Sequence, residues 1–129
     1  MDERTLNAER GRMFIKRKQA CEQLKEHLNQ PDEIIYMWSA ILAFQGYPFK
    51  TPKGYSFKYR VDDETLYFTH QKNGISKATV ERAFRNARSI QKEKGYVNDP
   101  KKLGTIGATY LYQIFLRIGV YEKEQPAEK

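Results

Sequence analysis

Residues 55–69 read YSFKYRVDDETLYFT, and the fold turns on this stretch. Tyr55, Phe57, Tyr59 and Val61 alternate with Ser56, Lys58 and Arg60; beyond the polar DDE, Leu66 and Phe68 alternate with Thr65, Tyr67 and Thr69. A period of two on both sides of a short polar turn predicts an antiparallel hairpin, because successive strand side chains point to opposite faces. One face, with Phe57, Tyr59, Val61, Leu66 and Phe68, is expected to cover a core. The other presents Lys58, Arg60 and Tyr67, with Lys72 just beyond the second strand. Asp62, Asp63 and Glu64 fall in the turn, where solvated carboxylates are ordinary.

Downstream, residues 74–95 read GISKATVERAFRNARSIQKEKG. Ser76 is a good helix N-cap, and Ile75 ahead of it is spaced to reach Val80 as a hydrophobic staple. Val80, Ala83, Phe84, Ala87 and Ile90 recur at helical spacings of three and four. That register leaves Lys77, Arg85, Arg88 and Lys92 outward, with Arg82 near the border of the buried face. Glu81 stands four residues before Arg85, but an exposed pair of this kind contributes only about 0.3–0.5 kcal/mol and leaves the face basic.

Upstream, Phe14, Cys21 and Leu28 recur every seven residues with Leu24 between them, predicting an amphipathic helix over 13–28. Lys16, Arg17 and Lys18 cluster near its start, where the helix dipole disfavours cations. NQPDE, residues 29–33, ends it and starts another, with Pro31 suited to the first helical position. The second helix, from Ile34 to about Phe44, is apolar around most of its circumference and reads as the central core helix. Trp38 within it is read as a packed residue before a stacking platform. Residues 46–54, GYPFKTPKG, read as a loop.

At the other end, GYVNDPKKLG reads as a loop carrying Lys101 and Lys102, and Thr105 as the cap of a last helix over 106–118. That helix is apolar nearly all round, so it either passes through the middle of the fold or meets another subunit. The second arrangement predicts a homodimer with Tyr112 or Phe115 at its interface. Gly119 is the expected stop, with Val120 set for a Schellman contact. The fold class that emerges is α+β, with about four helices and one antiparallel β-hairpin between the second and third. A single domain over 13–121 is expected between a flexible N-terminal segment, 1–12, and a flexible tail, 122–129.

A chain of 129 residues, 40% apolar, has the size and material for one hydrophobic core. No apolar run approaches a membrane span, and MDERTLNAERGR lacks the order of a secretion signal, so a cytoplasmic protein is expected. Cys21 is the single cysteine, which excludes an intrachain disulfide and a cysteine-rich zinc site. The two histidines, His27 and His70, are not set with Cys21 as a nucleophile and base. Neither GYPFKTPKG nor KKLGTIGAT has the order of a P-loop, although Lys101, Lys102, Gly104 and Gly107 ahead of helix N–H groups could cradle one phosphate. Metal-dependent nuclease chemistry needs converging acidic ligands that the DDE turn does not identify. No catalytic residue, metal ligand or cofactor is assigned.

Charge is the remaining signal. The formal net charge is +7, and residues 70–104 hold nine basic side chains against three acidic, whereas residues 1–30 hold seven against five. Helices, a hairpin and a basic helix suggest a winged-helix composition, but the most basic helix follows the strands instead of preceding them. YPFKTPKGYSFKYRV together with PKKLGTIGATYLYQIFLRIGV resembles small uncharacterised proteins of Gram-positive bacterial genomes and mobile elements, a resemblance over about the last two thirds of the chain that carries no site or activity. Two function classes follow from the residues. In the first, the chain is a non-catalytic nucleic-acid-binding protein, expected to be DNA-binding or regulatory, in which Lys58, Arg60, Lys72, Lys77, Arg85, Arg88, Lys92, Lys101 and Lys102 contact the phosphates of DNA or RNA, and Tyr67 or a loop aromatic stacks on a base. In the second, the chain is a protein interaction module, either a homodimeric adaptor or a small inhibitor docking on an acidic or nucleic-acid-binding partner.

Overall fold

A computed structural model describes the backbone of residues 3–69 and 71–121, with side chains from residue 8 onward among them. The expected tail, residues 122–129, lies outside the described residues, as does His70. The chain runs α1 (Glu3–His27), α2 (Glu33–Ala43), β1 (Phe49–Lys50), β2 (Ser56–Phe57), β3 (Tyr59–Asp62), β4 (Thr65–Phe68), β5 (Ile75–Ser76), α3 (Lys77–Lys94), a 3-10 turn (Pro100–Leu103) and α4 (Ala108–Ile118). Mixed α and β structure is thus observed, with four helices and two small antiparallel sheets among the described residues.

The hairpin pairs Tyr59 with Phe68, Arg60 with Tyr67, Val61 with Leu66 and Asp62 with Thr65. Its two-residue turn holds Asp63 at φ 50° and Glu64 at φ 58°. Positive φ at both central positions matches the right-handed twist of the strands, and Asp accepts that conformation more readily than most residues. Tyr59, Leu66 and Phe68 are buried, while Lys58 and Arg60 face out. A third strand, β5, pairs with β4, aligning Leu66 with Ile75, so the chain enters α3 directly from the sheet. Ser76 then caps α3, its hydroxyl accepting from Thr79 N at 3.3 Å.

Residues 46–54 hold more than a loop. Phe49 pairs with Phe57 and Lys50 with Ser56, forming a second small hairpin closed by Thr51–Gly54. Two prolines and two glycines concealed it, because the paired segments are only two residues long.

Helix α1 differs most from expectation. It spans 25 residues, about 37 Å, beginning at Glu3 where a flexible segment was expected. Among its described side chains, Ala20 and Leu24 in the second half are buried, whereas Phe14, assigned to the buried stripe by its heptad spacing, is 67% exposed. Arg17 marks the boundary, donating from Nε to Ala43 O and from Nη2 to Gln45 O, each at 3.0 Å. The turn to α2 is made by Asn29 at φ 72°, and Glu33, not Pro31, opens the helix. Trp38 is buried, its indole N–H donating to Glu81 Oε1 at 3.3 Å, which agrees with a packing role.

Helix α4 passes through the middle of the fold. Leu111, Tyr112, Ile114, Phe115 and Ile118 are all buried. The Phe115 ring meets Phe84 edge-on at 6.2 Å, and the Tyr112 hydroxyl donates to Val97 O at 3.0 Å. The expectation of Tyr112 or Phe115 at a dimer interface is therefore corrected: both are core residues of one chain. Thr105 does not cap α4 either; its hydroxyl is buried without a partner, and Gly107, at φ 70°, occupies the N-cap. A Cβ at Gly107 would collide with Ile75 Cδ1, so the glycine permits the start of α4 to pack on β5. Gly119 ends the helix at φ 96°, with Val120 N bonded to Phe115 O at 2.9 Å.

Candidate nucleic-acid interface

The outer face of the hairpin gathers four of the residues expected to contact nucleic acid. Lys58, Arg60, Tyr67 and Lys72 line one shallow concavity of about 460 Å³, with Thr69 and Gln71 between them. Register explains the grouping: Arg60 lies directly across from Tyr67, and its guanidinium carbon sits 4.6 Å from the Tyr67 ring centroid. Such a contact restrains a long cationic side chain over the sheet without neutralising it. Arg60 Nη1 also lies 3.4 Å from Asp62 Oδ2, but both side chains are largely exposed and the pair is weak. The end of the hairpin is held at Lys58, whose N–H reaches Thr69 Oγ1 at 3.1 Å while its carbonyl accepts from Thr69 N at 2.9 Å. Among the described residues no carboxylate lies within ion-pair distance of Lys58 or Lys72.

Helix α3 contributes a second basic surface, in a register shifted from the expected one. Ala78, Arg82, Arg85, Ser89 and Lys92 are exposed along one stripe, opposite the buried Val80, Ala83 and Ala87. Arg82 belongs to this stripe and Arg88 does not. Arg88 is 6% exposed, donating from Nη1 to Val120 O at 2.9 Å and from Nη2 to Asn29 Oδ1 at 2.8 Å, with Nε 3.6 Å from Glu33 Oε2. Its assignment to a phosphate contact is corrected: the side chain is a strut joining α3, the α1–α2 turn and the end of α4. Arginine is read as outward by composition, but at helical spacing Arg88 falls one position beyond Ala87 and four beyond Phe84. Remote partners, the Val120 carbonyl, the Asn29 amide oxygen and the Glu33 carboxylate, decide that it turns inward.

Lys77 occupies a third kind of position. Its Nζ lies 5.3 Å from the Trp38 ring centroid and 3.9 Å from Glu64 Oε1, so it is already engaged at the start of α3. Lys101 and Lys102 stand exposed on the 3-10 turn, which Asn86 ties to α3 by donating from Nδ2 to Leu103 O at 2.8 Å. The second hairpin exposes three further residues that sequence reasoning did not single out, Lys50, Lys53 and Tyr55, the last 71% exposed. Alternation across PFKTPKGYSF was the available signal for them.

The Cys21 thiol is pushed up from its usual range by burial, with Arg117 opposing and Glu22 adding to the rise, so it is held protonated and poorly nucleophilic. The turn carboxylates of Asp62 and Glu64 are directed to Arg60 and Lys77. Among the described residues no three His, Cys, Asp or Glu side chains converge as metal ligands, and no helix is long and apolar enough to cross a membrane.

No protein-family model, curated protein or solved structure matches the chain.

Proposed function

We propose that the chain is a small non-catalytic nucleic-acid-binding protein that contacts phosphates through the outer face of the β3–β4 hairpin and the exposed stripe of α3. The observation that carries this reading is the grouping of Lys58, Arg60, Tyr67 and Lys72 around one concavity where, among the described residues, the only paired carboxylate is the exposed Asp62. Phosphate oxygens are the natural counter-charge for cations so arranged, and Tyr67 offers an aromatic edge beside them. Arg82, Arg85 and Lys92 form a second exposed basic stripe on α3, and Lys101 and Lys102 stand exposed on the turn that Asn86 ties to that helix. Arg88 takes no part.

Fluorescence anisotropy with labelled duplex and single-stranded DNA and RNA, titrated at several salt concentrations, tests the reading. Binding that weakens steeply as salt rises supports it. Absence of binding at low salt by folded protein removes it.

A further inference from the structure

The packing of α1 leaves a mixed surface that phosphate binding does not use. Met13, Phe14 and Ile15 are 45, 67 and 55% exposed on the part of the helix that projects beyond the core. Met13 and Phe14 form one wall of a cleft of about 340 Å³ that Cys21 and Tyr47 also line, with the buried Phe44 beneath. Two guanidinium groups frame it. Arg17 and Arg117 lie 5.6 and 5.1 Å from the Phe44 ring centroid, and each lies 5.3 Å from that of Tyr47. Arg117 donates from Nε to the Tyr47 hydroxyl at 3.2 Å, and Arg17 to the two α2-end carbonyls, so both groups are held in place. Among the described residues neither meets a carboxylate, although each retains further N–H donors. Arg10 and Lys18 line the same cleft, against the single acid Glu22.

We propose that this cleft docks an acidic amphipathic helix of a partner protein. An apolar side chain of that helix fills the space between Phe14 and Tyr47, and its carboxylates meet Arg17 and Arg117 with bidentate geometry. Charge selects this occupant. In a second copy of the chain, antiparallel pairing of α1 about Phe14 would set Arg10 against Lys18, and the like charges oppose it. A nucleic acid backbone would leave the apolar wall uncovered, and a membrane surface would bury Met13 and Phe14 without filling a concave site.

The test uses the full chain and a fluorescein-labelled synthetic helix with Leu and Phe on one face and Glu on the other. A matched peptide with Lys in place of Glu serves as control, alongside vesicles of phosphatidylcholine and phosphatidylserine. Saturable, salt-sensitive binding of the acidic peptide is expected, with none of the Lys peptide. Phe14→Ser and Arg117→Gln are each expected to weaken it about tenfold or more, as hot-spot positions do. Because Phe14 is exposed, Phe14→Ser retains the thermal unfolding of the parent. Arg82→Ala with Arg85→Ala leaves peptide affinity unchanged, which separates this site from the nucleic-acid surface. The proposal is overturned by no binding of the acidic peptide at low salt, by equal binding of Phe14→Ser, by preference for vesicles over peptide, or by a concentration-dependent dimer that Phe14→Ser abolishes.

Discussion

Replacing Arg88 by Ala removes the strut between α3, the α1–α2 turn and the end of α4. Two hydrogen bonds from a charged donor disappear, at 2.9 Å to Val120 O and 2.8 Å to Asn29 Oδ1. Bonds to charged groups contribute about 1.5–3 kcal/mol each, and removing one partner from a buried ionic arrangement costs about 3–5 kcal/mol. What remains behind explains a cost of this order: Val120 O belongs to a buried residue, and among the described residues Glu33 is left with the Asn29 N–H at 2.8 Å. For a domain of this size, about 3–5 kcal/mol corresponds to a midpoint lowered by roughly 10–20 °C. Arg88→Lys is expected to fall between parent and Ala, since an ammonium cannot reproduce the planar fork that reaches both acceptors. Arg85→Ala, on the exposed stripe, should stay within about 0.5 kcal/mol of the parent. Urea unfolding followed by far-UV circular dichroism measures all three. Equal stability of the Arg88→Ala and Arg85→Ala proteins would refute the inward placement of Arg88 and restore it to the basic face.

Replacing Arg82 and Arg85 together by Ala should preserve the fold and flatten the dependence of log affinity on log salt by about 0.9 for each duplex phosphate no longer neutralised, read from anisotropy titrations. Gly107→Ala should destabilise by about 2 kcal/mol in urea, because its φ of 70° is strained for Ala and the added carbon meets Ile75. Burial raises the Tyr59 hydroxyl above its usual range, with Arg17 opposing, and its neutral form donates to Ile41 O. The unfolded phenol ionises near pH 10 while the folded one keeps its proton, so stability is full below that pH and falls above it by up to about 1.4 kcal/mol per pH unit for this group. Tyr59→Phe should lower the midpoint at neutral pH and shrink the alkaline loss, as thermal scans across the alkaline range would record.

Local periodicity carried much of the fold. The alternation through Tyr59–Phe68 located the hairpin, Ser76 and the Val80–Ile90 stripe located α3, and Gly119 located the end of α4. What local pattern could not carry was the identity of the surface each face meets. Phe14 and Leu24 were read into one helical stripe, yet Leu24 is buried in the core and Phe14 is exposed. Arg88 and Arg85 are three residues apart with the same chemistry, and only remote acceptors turn one inward. Tyr112 and Phe115 read equally as core or interface until α3 and the 3-10 turn close over α4. The candidate site divided along the same line: Lys58, Arg60, Tyr67 and Lys72 follow from strand register, whereas the inward turn of Arg88 does not.

Simultaneous replacement of Lys58, Arg60 and Lys72 by Ala addresses the central claim most directly, since these cations share one concavity and are exposed, so the fold does not depend on them. Anisotropy titration at fixed low salt, with duplex and single-stranded DNA and RNA, compares this protein with the parent and with a triple replacement of the same charge at Arg10, Arg12 and Lys16 on α1. Phosphate binding at the hairpin predicts a weakening of about tenfold or more for the hairpin variant, with a flatter salt dependence, and a smaller effect for the α1 control. Equal weakening in the two variants would reduce the attraction to net charge alone, and undiminished binding by the hairpin variant would contradict the site.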